Sequence, residues 1–508
     1  MIVLEKLQWF QNCLSGLSND NERGYILPEI KLALSVLNLE QLRFLSRNVD
    51  LNMVFDCLNS SDREQISNAC DIISTMVTPL EPRDICSRYE VPMKRALAHP
   101  MPQVVVMVLK QFKVLFADGN AVKQMGCIGE LVAAVILCCG HEELSVAQNA
   151  VQALVNLSKH PAGLTLLFST GIQKLLREAM QKNDIVRFRI YEVVASVAGS
   201  SQQGLAACHA SGLLPAMLQE GLGDGDVLRQ LSAMTLLSEL VAQRHGFEYL
   251  QEHGVLASLV TLVLGQDHLA SPILLPGVVK FFGNAIQSWP KDMFKMYQPV
   301  VAALFKMLET ADLTLLGIVM ETVGYIASTS DGKHMLNNLE VEMLKAMRIL
   351  GEKIKSLPFE FKVRALNTVA NLIEIKSEDD TQELSEISLK WFRSLGADPV
   401  ELVMYACSQP FPELRLAALQ VLKSLVSWRW GLDYLKMSPG LLEYLMDRSS
   451  ESNKLCIHAK FDVVEAIVNS PYAEEVLELE TLERLKKFEC EGPFFVLART
   501  EVAVERDS

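Results

Sequence analysis

Residues 184–254 read DIVRFRIYEVVASVAGSSQQGLAACHASGLLPAMLQEGLGDGDVLRQLSAMTLLSELVAQRHGFEYLQEHG, and their rhythm decides the fold. A long amphipathic run ends in a short polar loop with Gly204. A brief apolar segment follows, and Gly212 stands eight residues after the first glycine. A helix of medium length and an acidic loop come next, and the cycle restarts with Gly246 and Gly254. Gly163 and Gly171 make the pair before, so the first members, at 163, 204 and 246, lie 41 and 42 residues apart.

A fixed period in the low forties with three helices per period is the pattern of armadillo or HEAT repeats. The expected fold class is therefore all-α, a right-handed armadillo/HEAT-like α-solenoid. Burial is the physical reason: no helix of such a unit can cover its own apolar stripe, and stacked neighbours share one core. The second glycine of each pair fits a helix C-terminus, where a left-handed residue lets the chain turn sharply. Asp184 and Asp226 precede the long third helices and are expected to cap their free N–H groups.

Third helices are expected to begin near Asp62, Gln103, Ser145, Ile185, Leu228, Ile273, Thr314, Glu360, Pro412 and Asn453. Each carries apolar residues at helical spacing, as Val146, Ala150, Val151, Leu154 and Val155 do in the third of them. The expected organisation is an N-terminal helical cap over 1–50, with helical patterns at Leu4–Leu17 and Leu27–Leu45, then repeats over 51–373. An enlarged connection follows over 374–411, with an acidic turn at Glu378–Asp380 and a helix near Leu384–Leu395. Residues 412–496 supply the C-terminal repeats and cap, and 497–508 read as a disordered tail. Pro272 and Pro276 fall at the start of one third helix, where a first turn tolerates proline.

Half of the 508 residues are hydrophobic and only 7% are aromatic, as suits packed helices. The formal net charge of −14 argues against nucleic acid as a ligand, since phosphate needs clustered Lys and Arg. An acidic surface suits basic protein partners. The 11 cysteines form no C-x-x-C, and Cys138–Cys139 sit inside an apolar run, so reduced buried thiols are expected. No secretory signal is visible, and the longest apolar stretches fall short of the roughly 20 residues of a membrane span. The expected location is the cytoplasm, with the nucleus as a second compartment, and no membrane partner.

Signatures of chemistry fail one by one. His141-Glu142-Glu143 lacks a second histidine at Ser145, so it is not a zinc-protease helix. The nine histidines are scattered without an i, i+4 pair, and metal-ligand spacing is missing. Cys208 and His209 are neighbours whose side chains diverge by about 100° on a helix, a poor nucleophile–base pair. The run Gly-Leu-Gly-Asp-Gly-Asp at 221–226 lacks the strand and lysine of a phosphate loop, and as a calcium loop its twelfth position is Thr235. The chain is read as a non-enzyme with no cofactor and no metal.

What remains is surface. Asn156, Asn284 and Asn371 fall late in three third helices, within ALVNLSK, FFGNAIQ and TVANLIE. They resemble the asparagine ladder with which armadillo arrays hold an extended peptide. The tryptophan that nuclear-import adaptors carry four residues earlier is replaced by Gln152, Lys280 and Asn367. Arg187, Arg189 and Glu192 give the 184–198 helix a charged face, and Lys280 adds a cation further along. These seven, Asn156, Arg187, Arg189, Glu192, Lys280, Asn284 and Asn371, are the candidate partner-binding residues. An armadillo-type peptide-binding adaptor for transport or adhesion is the alternative reading.

Five strings go beyond generic repeats: KNDIVRFRIYE at 182–192, LPGVVKFFGN at 275–284, SQPFPEL at 408–414, SPGLLEYLMDRSSE at 438–451 and EGPFFV at 491–496. Together they closely resemble the 26S proteasome non-ATPase regulatory subunit 5 family, from about residue 30 to 496. The resemblance implies an assembly chaperone for the base of the proteasome regulatory particle. It implies binding to the C-terminal domain of one AAA ATPase subunit, in a module with a second base ATPase and a large non-ATPase scaffolding subunit. It also implies departure before the finished regulatory particle caps the core particle.

Overall fold

The computed structural model describes residues 2–495 except 125–127, 224–225, 266–271, 311 and 376–380. The expected tail at 497–508 and the acidic turn at 378–380 lie outside the described residues. Among the described residues every regular element is a helix. The chain divides into two compact units, residues 1–249 and 250–508.

In the first unit the long helices Arg63–Val77, Pro102–Ala117, Leu144–Ser158, Asp184–Ser200 and Val227–Leu240 pack each on the next. Each stands at an expected third-helix position. Leu144–Ser158 shows why the stack is stable: Val146, Ala147, Ala150, Val151, Ala153, Leu154 and Leu157 are all buried. That stripe is wider than one face because the helix is flanked by Pro102–Ala117 on one side and Asp184–Ser200 on the other. Val155, expected in the core, is only half-buried.

The two glycines of each pair do different work. A Cβ on Gly163, Gly204 or Gly246 would lie 2.0, 2.3 or 2.1 Å from the carbonyl oxygen of Leu157, Val197 or Leu240. Each of these glycines therefore lets a first helix start against the last turn of the third helix before it. Gly212 and Gly254 turn the chain in the left-handed region, at φ 75° and 73°. Gly171 departs from the pattern and lies inside the Thr170–Met180 helix.

Capping differs from expectation at one of two positions. Asp226 caps as expected, accepting from the Leu228 N–H. Before Asp184–Ser200 the cap is Asn183, whose side chain accepts from the Val186 N–H. Asp184 is then the first helical residue, with its carboxylate left for cations on the helix surface. Near the N-terminus the expected Leu27–Leu45 pattern is broken into Arg23–Ser35 and Leu39–Asn48. The break is an Asn38–Gln41 capping box, in which each side chain bonds the other's backbone N–H.

In the second unit Leu275–Ser288, Leu313–Ile326, Phe359–Ile373, Pro412–Val426 and Lys454–Val468 form the corresponding succession. Pro272–Leu274 make a short 3₁₀ turn before the first of them, and Pro276 sits in its first turn. Within 374–411 stand helices Gln382–Arg393 and Pro399–Cys407. The first packs on Phe359–Ile373 and the second on Pro412–Val426, so the stretch also supplies helices to the stack. Among the described residues no single helix is long and apolar enough to cross a membrane.

Candidate partner-binding groove

Helices Asp184–Ser200 and Val227–Leu240 lie side by side in the first unit, and a groove of ≈ 570 Å³ opens between them. Residues seven apart on a helix share a face, which places Ile185, Phe188, Arg189 and Glu192 along one wall. Leu228, Ser232 and Thr235 line the other, and the exposed Glu239 continues their line by one turn. The N-terminal end of the groove exposes two large apolar side chains, Ile185 (64% exposed) and Leu228 (73%), beside Asp184, Asp226 and Arg229. The far end is acidic.

The groove's cations are already held. Arg229 pairs with Asp184 at 3.0 Å across the mouth. Arg187 turns to Asp184 at 3.2 Å and to Glu220 at 3.7 Å, and the Tyr191 hydroxyl donates to the same Glu220 oxygen at 2.9 Å. Burial, followed by that carboxylate, pushes the Tyr191 hydroxyl pKa far up. Arg189 donates to the carbonyls of Cys139 and His141, at 2.9 and 2.8 Å, beyond the end of helix Ile128–Cys138. It thereby satisfies acceptors that a helix C-terminus leaves free. Glu192 and Glu239 form no ion pair among the described residues. Partial burial and then the Glu239 carboxylate push the Glu192 pKa up, against the pull of Arg189.

The sequence candidates thus fall in several places. Arg189 and Glu192 line the groove, while Arg187 faces Glu220. Asn156 stands on the neighbouring third helix, and its amide donates to the Lys113 carbonyl at 2.9 Å. In the second unit Lys280 is exposed and Asn284 half-buried on Leu275–Ser288. Asn371 is half-buried near the end of Phe359–Ile373. Sequence reading missed Leu228, Thr235 and Glu239, whose signal was an exposed i, i+4, i+7 and i+11 line beginning at Leu228. No group of three or more potential metal ligands occurs among the described residues. Cys208 is fully buried against the Val194 carbonyl, with its pKa pushed up to about 12 by burial, while His209 bonds the Tyr249 hydroxyl at 2.8 Å.

Stacked three-helix repeats with a side-chain groove on their third helices define an armadillo/HEAT-type α-solenoid. Yeast importin-β shares the fold, with a TM-score of 0.52 at 13% identity over 94% of this chain and 62% of that one. The model of the proteasome non-ATPase 26S subunit family matches residues 7–507, and the chain belongs to that family. Its relatives include the human 26S proteasome non-ATPase regulatory subunit 5, 33% identical over 94% of this chain and 96% of the relative. The bovine protein of the same name shows the same identity and coverage, and the Drosophila melanogaster one is 31% identical over 66% of each chain.

Proposed function

We propose that this chain is a chaperone for assembly of the proteasome regulatory-particle base. In this reading it binds the C-terminal domain of one AAA ATPase subunit. A second base ATPase and a large non-ATPase scaffolding subunit join the same module. The observation that carries the reading is end-to-end similarity: the relatives named 26S proteasome non-ATPase regulatory subunit 5 match over 94% of this chain and 96% of their own. The protein then works in the cytoplasm, with the nucleus as a second site.

The mechanism is steric and needs no chemistry from this chain. A stack of repeats offers a broad surface to a folded domain, and about 1,600 Å² of total buried area suffices for a specific complex. While the chaperone is bound, its bulk stands where the core particle must dock. Binding and docking then exclude each other, and a competing assembly step releases the chaperone. The net charge of −14 favours encounter with basic partner surfaces. We place the contacts on the third helices of each unit, with Glu192 and Lys280 exposed and Asn284 and Asn371 half-buried. Arg187, Arg189 and Asn156 brace that surface from within. A peptide-binding adaptor is disfavoured at Asn156, whose amide is spent on the Lys113 carbonyl.

The test is purification through a tag on this protein. The proposed function expects base ATPases and the scaffolding subunit without stoichiometric core particle. Recovery of complete, core-capped proteasomes at full stoichiometry would reject it.

A further inference from the structure

Glu192 and Glu239 project from adjacent third helices, the Glu239 carboxylate raises the cost of charging Glu192, and the groove's arginines are already held, Arg229 by Asp184 and Arg189 by the Cys139 and His141 carbonyls. The offset of the apolar end from the acidic end is set by the helix itself. Ile185 to Glu192 is seven residues, about 10 Å at 1.5 Å per residue. On the neighbouring helix Leu228 precedes Glu239 by eleven residues, about 16 Å. A surface helix lying along such a groove meets both ends if it carries an aliphatic side chain at one position and a cation two to three turns away.

We propose that this groove is the receptor for one helix of the partner, presenting Lys or Arg to Glu192 and Glu239 and aliphatic side chains to Ile185, Phe188 and Leu228. The inference rests on the reading that the partner is a folded ATPase domain, and it names the chemistry of the docked element. A cation between the two carboxylates removes their mutual repulsion, and a partly desolvated charge-assisted contact is stronger than an exposed one. The apolar rim supplies area, and the acid pair fixes register and direction. A helix docked the other way would set its aliphatic side chains against Glu192 and Glu239 and leave those two carboxylates without a partner.

The experiment uses the full chain and the isolated C-terminal domains of the proteasomal ATPases, one at a time. Binding is measured by titration calorimetry at two salt concentrations. The probes are the double variants Glu192→Lys/Glu239→Lys and Glu192→Gln/Glu239→Gln. Neither carboxylate is ion-paired among the described residues, so unfolding midpoints should stay close to that of the parent. Charge reversal is expected to weaken binding by about tenfold or more, roughly 1.4 kcal/mol. The neutral pair should weaken it less and flatten its salt dependence. Reversing the partner's helical Lys or Arg to Glu should restore binding to the Lys variant. If the parent chain binds one ATPase domain and both double variants bind it equally well with the same salt slope, the groove assignment falls while the assembly reading stands. If the parent chain binds none of the domains, the assembly reading itself fails and the groove loses its proposed occupant.

Discussion

Lys333 reaches through the interior of the second unit to the backbone of Asn371, its Nζ donating to that carbonyl at 3.1 Å and to the Leu372 carbonyl beside it. The Trp428 indole donates to the next carbonyl, that of Ile373, at 2.6 Å. Three consecutive acceptors at the end of Phe359–Ile373 are therefore closed by side chains from Ser330–Asn337, the first helix of the same repeat, and from the start of Arg429–Met437, beyond the next third helix. The end of one third helix thus ties together two side chains 95 residues apart in the chain (428 − 333).

The lock has a pH signature. Lys333 is only 3% exposed, and burial lowers its pKa to about 7, with Glu374 opposing. An unfolded lysine titrates near 10.4. Between those values the unfolded chain holds more protons than the folded one, so this group's contribution to stability rises with pH. It is complete above the unfolded pKa and lost as pH falls through about 7. The difference in urea midpoint between the parent and Lys333→Met should therefore widen in the parent's favour from pH 7 to pH 9. A difference independent of pH would show that Lys333 stays charged in the folded state.

Glycine pairs that look alike in sequence should respond differently to alanine. At Gly204 the new Cβ would sit 2.3 Å from the Val197 carbonyl oxygen, and that backbone cannot move without shifting the end of Asp184–Ser200. Gly204→Ala should cost about 1–3 kcal/mol, the usual range for overpacking. At Gly171 nothing stands within 4 Å of a Cβ, and the residue is helical. Gly171→Ala should be neutral or stabilising by up to about 1 kcal/mol. Denaturant unfolding of the two variants decides the matter, and equal effects would refute the close-approach role of Gly204.

Much of this was legible in the sequence because it is local. The period comes from residues a few positions apart: a glycine against the preceding turn, another in the left-handed region, and an apolar stripe between. The helix starts were legible to within a residue or two. Asn183 rather than Asp184 caps its helix because both side chains can accept the same bond, and packing frees the carboxylate for Arg187 and Arg229. The groove was only half legible. Glu192 was visible as part of a charged face, but Glu239 lies 47 residues later, and the angle between two packed helices brings it near. Arg187 and Arg189 read as free cations because their acceptors, Glu220 and the Cys139 and His141 carbonyls, lie 33 to 50 residues away in the chain.

Cysteine reactivity should follow burial. The thiols of Cys139, Cys208 and Cys407 are all buried, and burial pushes each pKa up to about 12. Thiolate is the reactive form, so these residues should resist alkylation at pH 8 in the folded protein. Cys490 is exposed on Leu479–Glu491 and should be modified. Iodoacetamide labelling with peptide mapping reads each site separately. Adding denaturant should make all four react, and labelling of Cys208 before unfolding would contradict the buried assignment.

The C-terminal repeats close on an ion pair rather than on apolar contacts alone. Arg415 Nε lies 2.9 Å from Glu451 Oε1, with the two side chains 13% and 3% exposed. Arg415 also donates to the Gln409 carbonyl at 2.9 Å, so its guanidinium ties the start of Pro412–Val426 to the loop before Lys454–Val468. Lys460 holds the other end of that loop, donating to the Asp447 carbonyl and the Ser450 hydroxyl at 2.7 Å each, with its ammonium over the Tyr444 ring. Glu451→Gln leaves the Arg415 charge in place and removes its counterion, a change that costs about 3–5 kcal/mol when the pair is buried. Arg415→Met/Glu451→Leu removes both charges and should cost clearly less than the single Glu451 change. Proteolysis within 447–453 should rise in Glu451→Gln and return toward the parent level in the double variant. Equal destabilisation by the two would mean that the loop is held by Lys460 and packing, with the buried charges contributing little of their own.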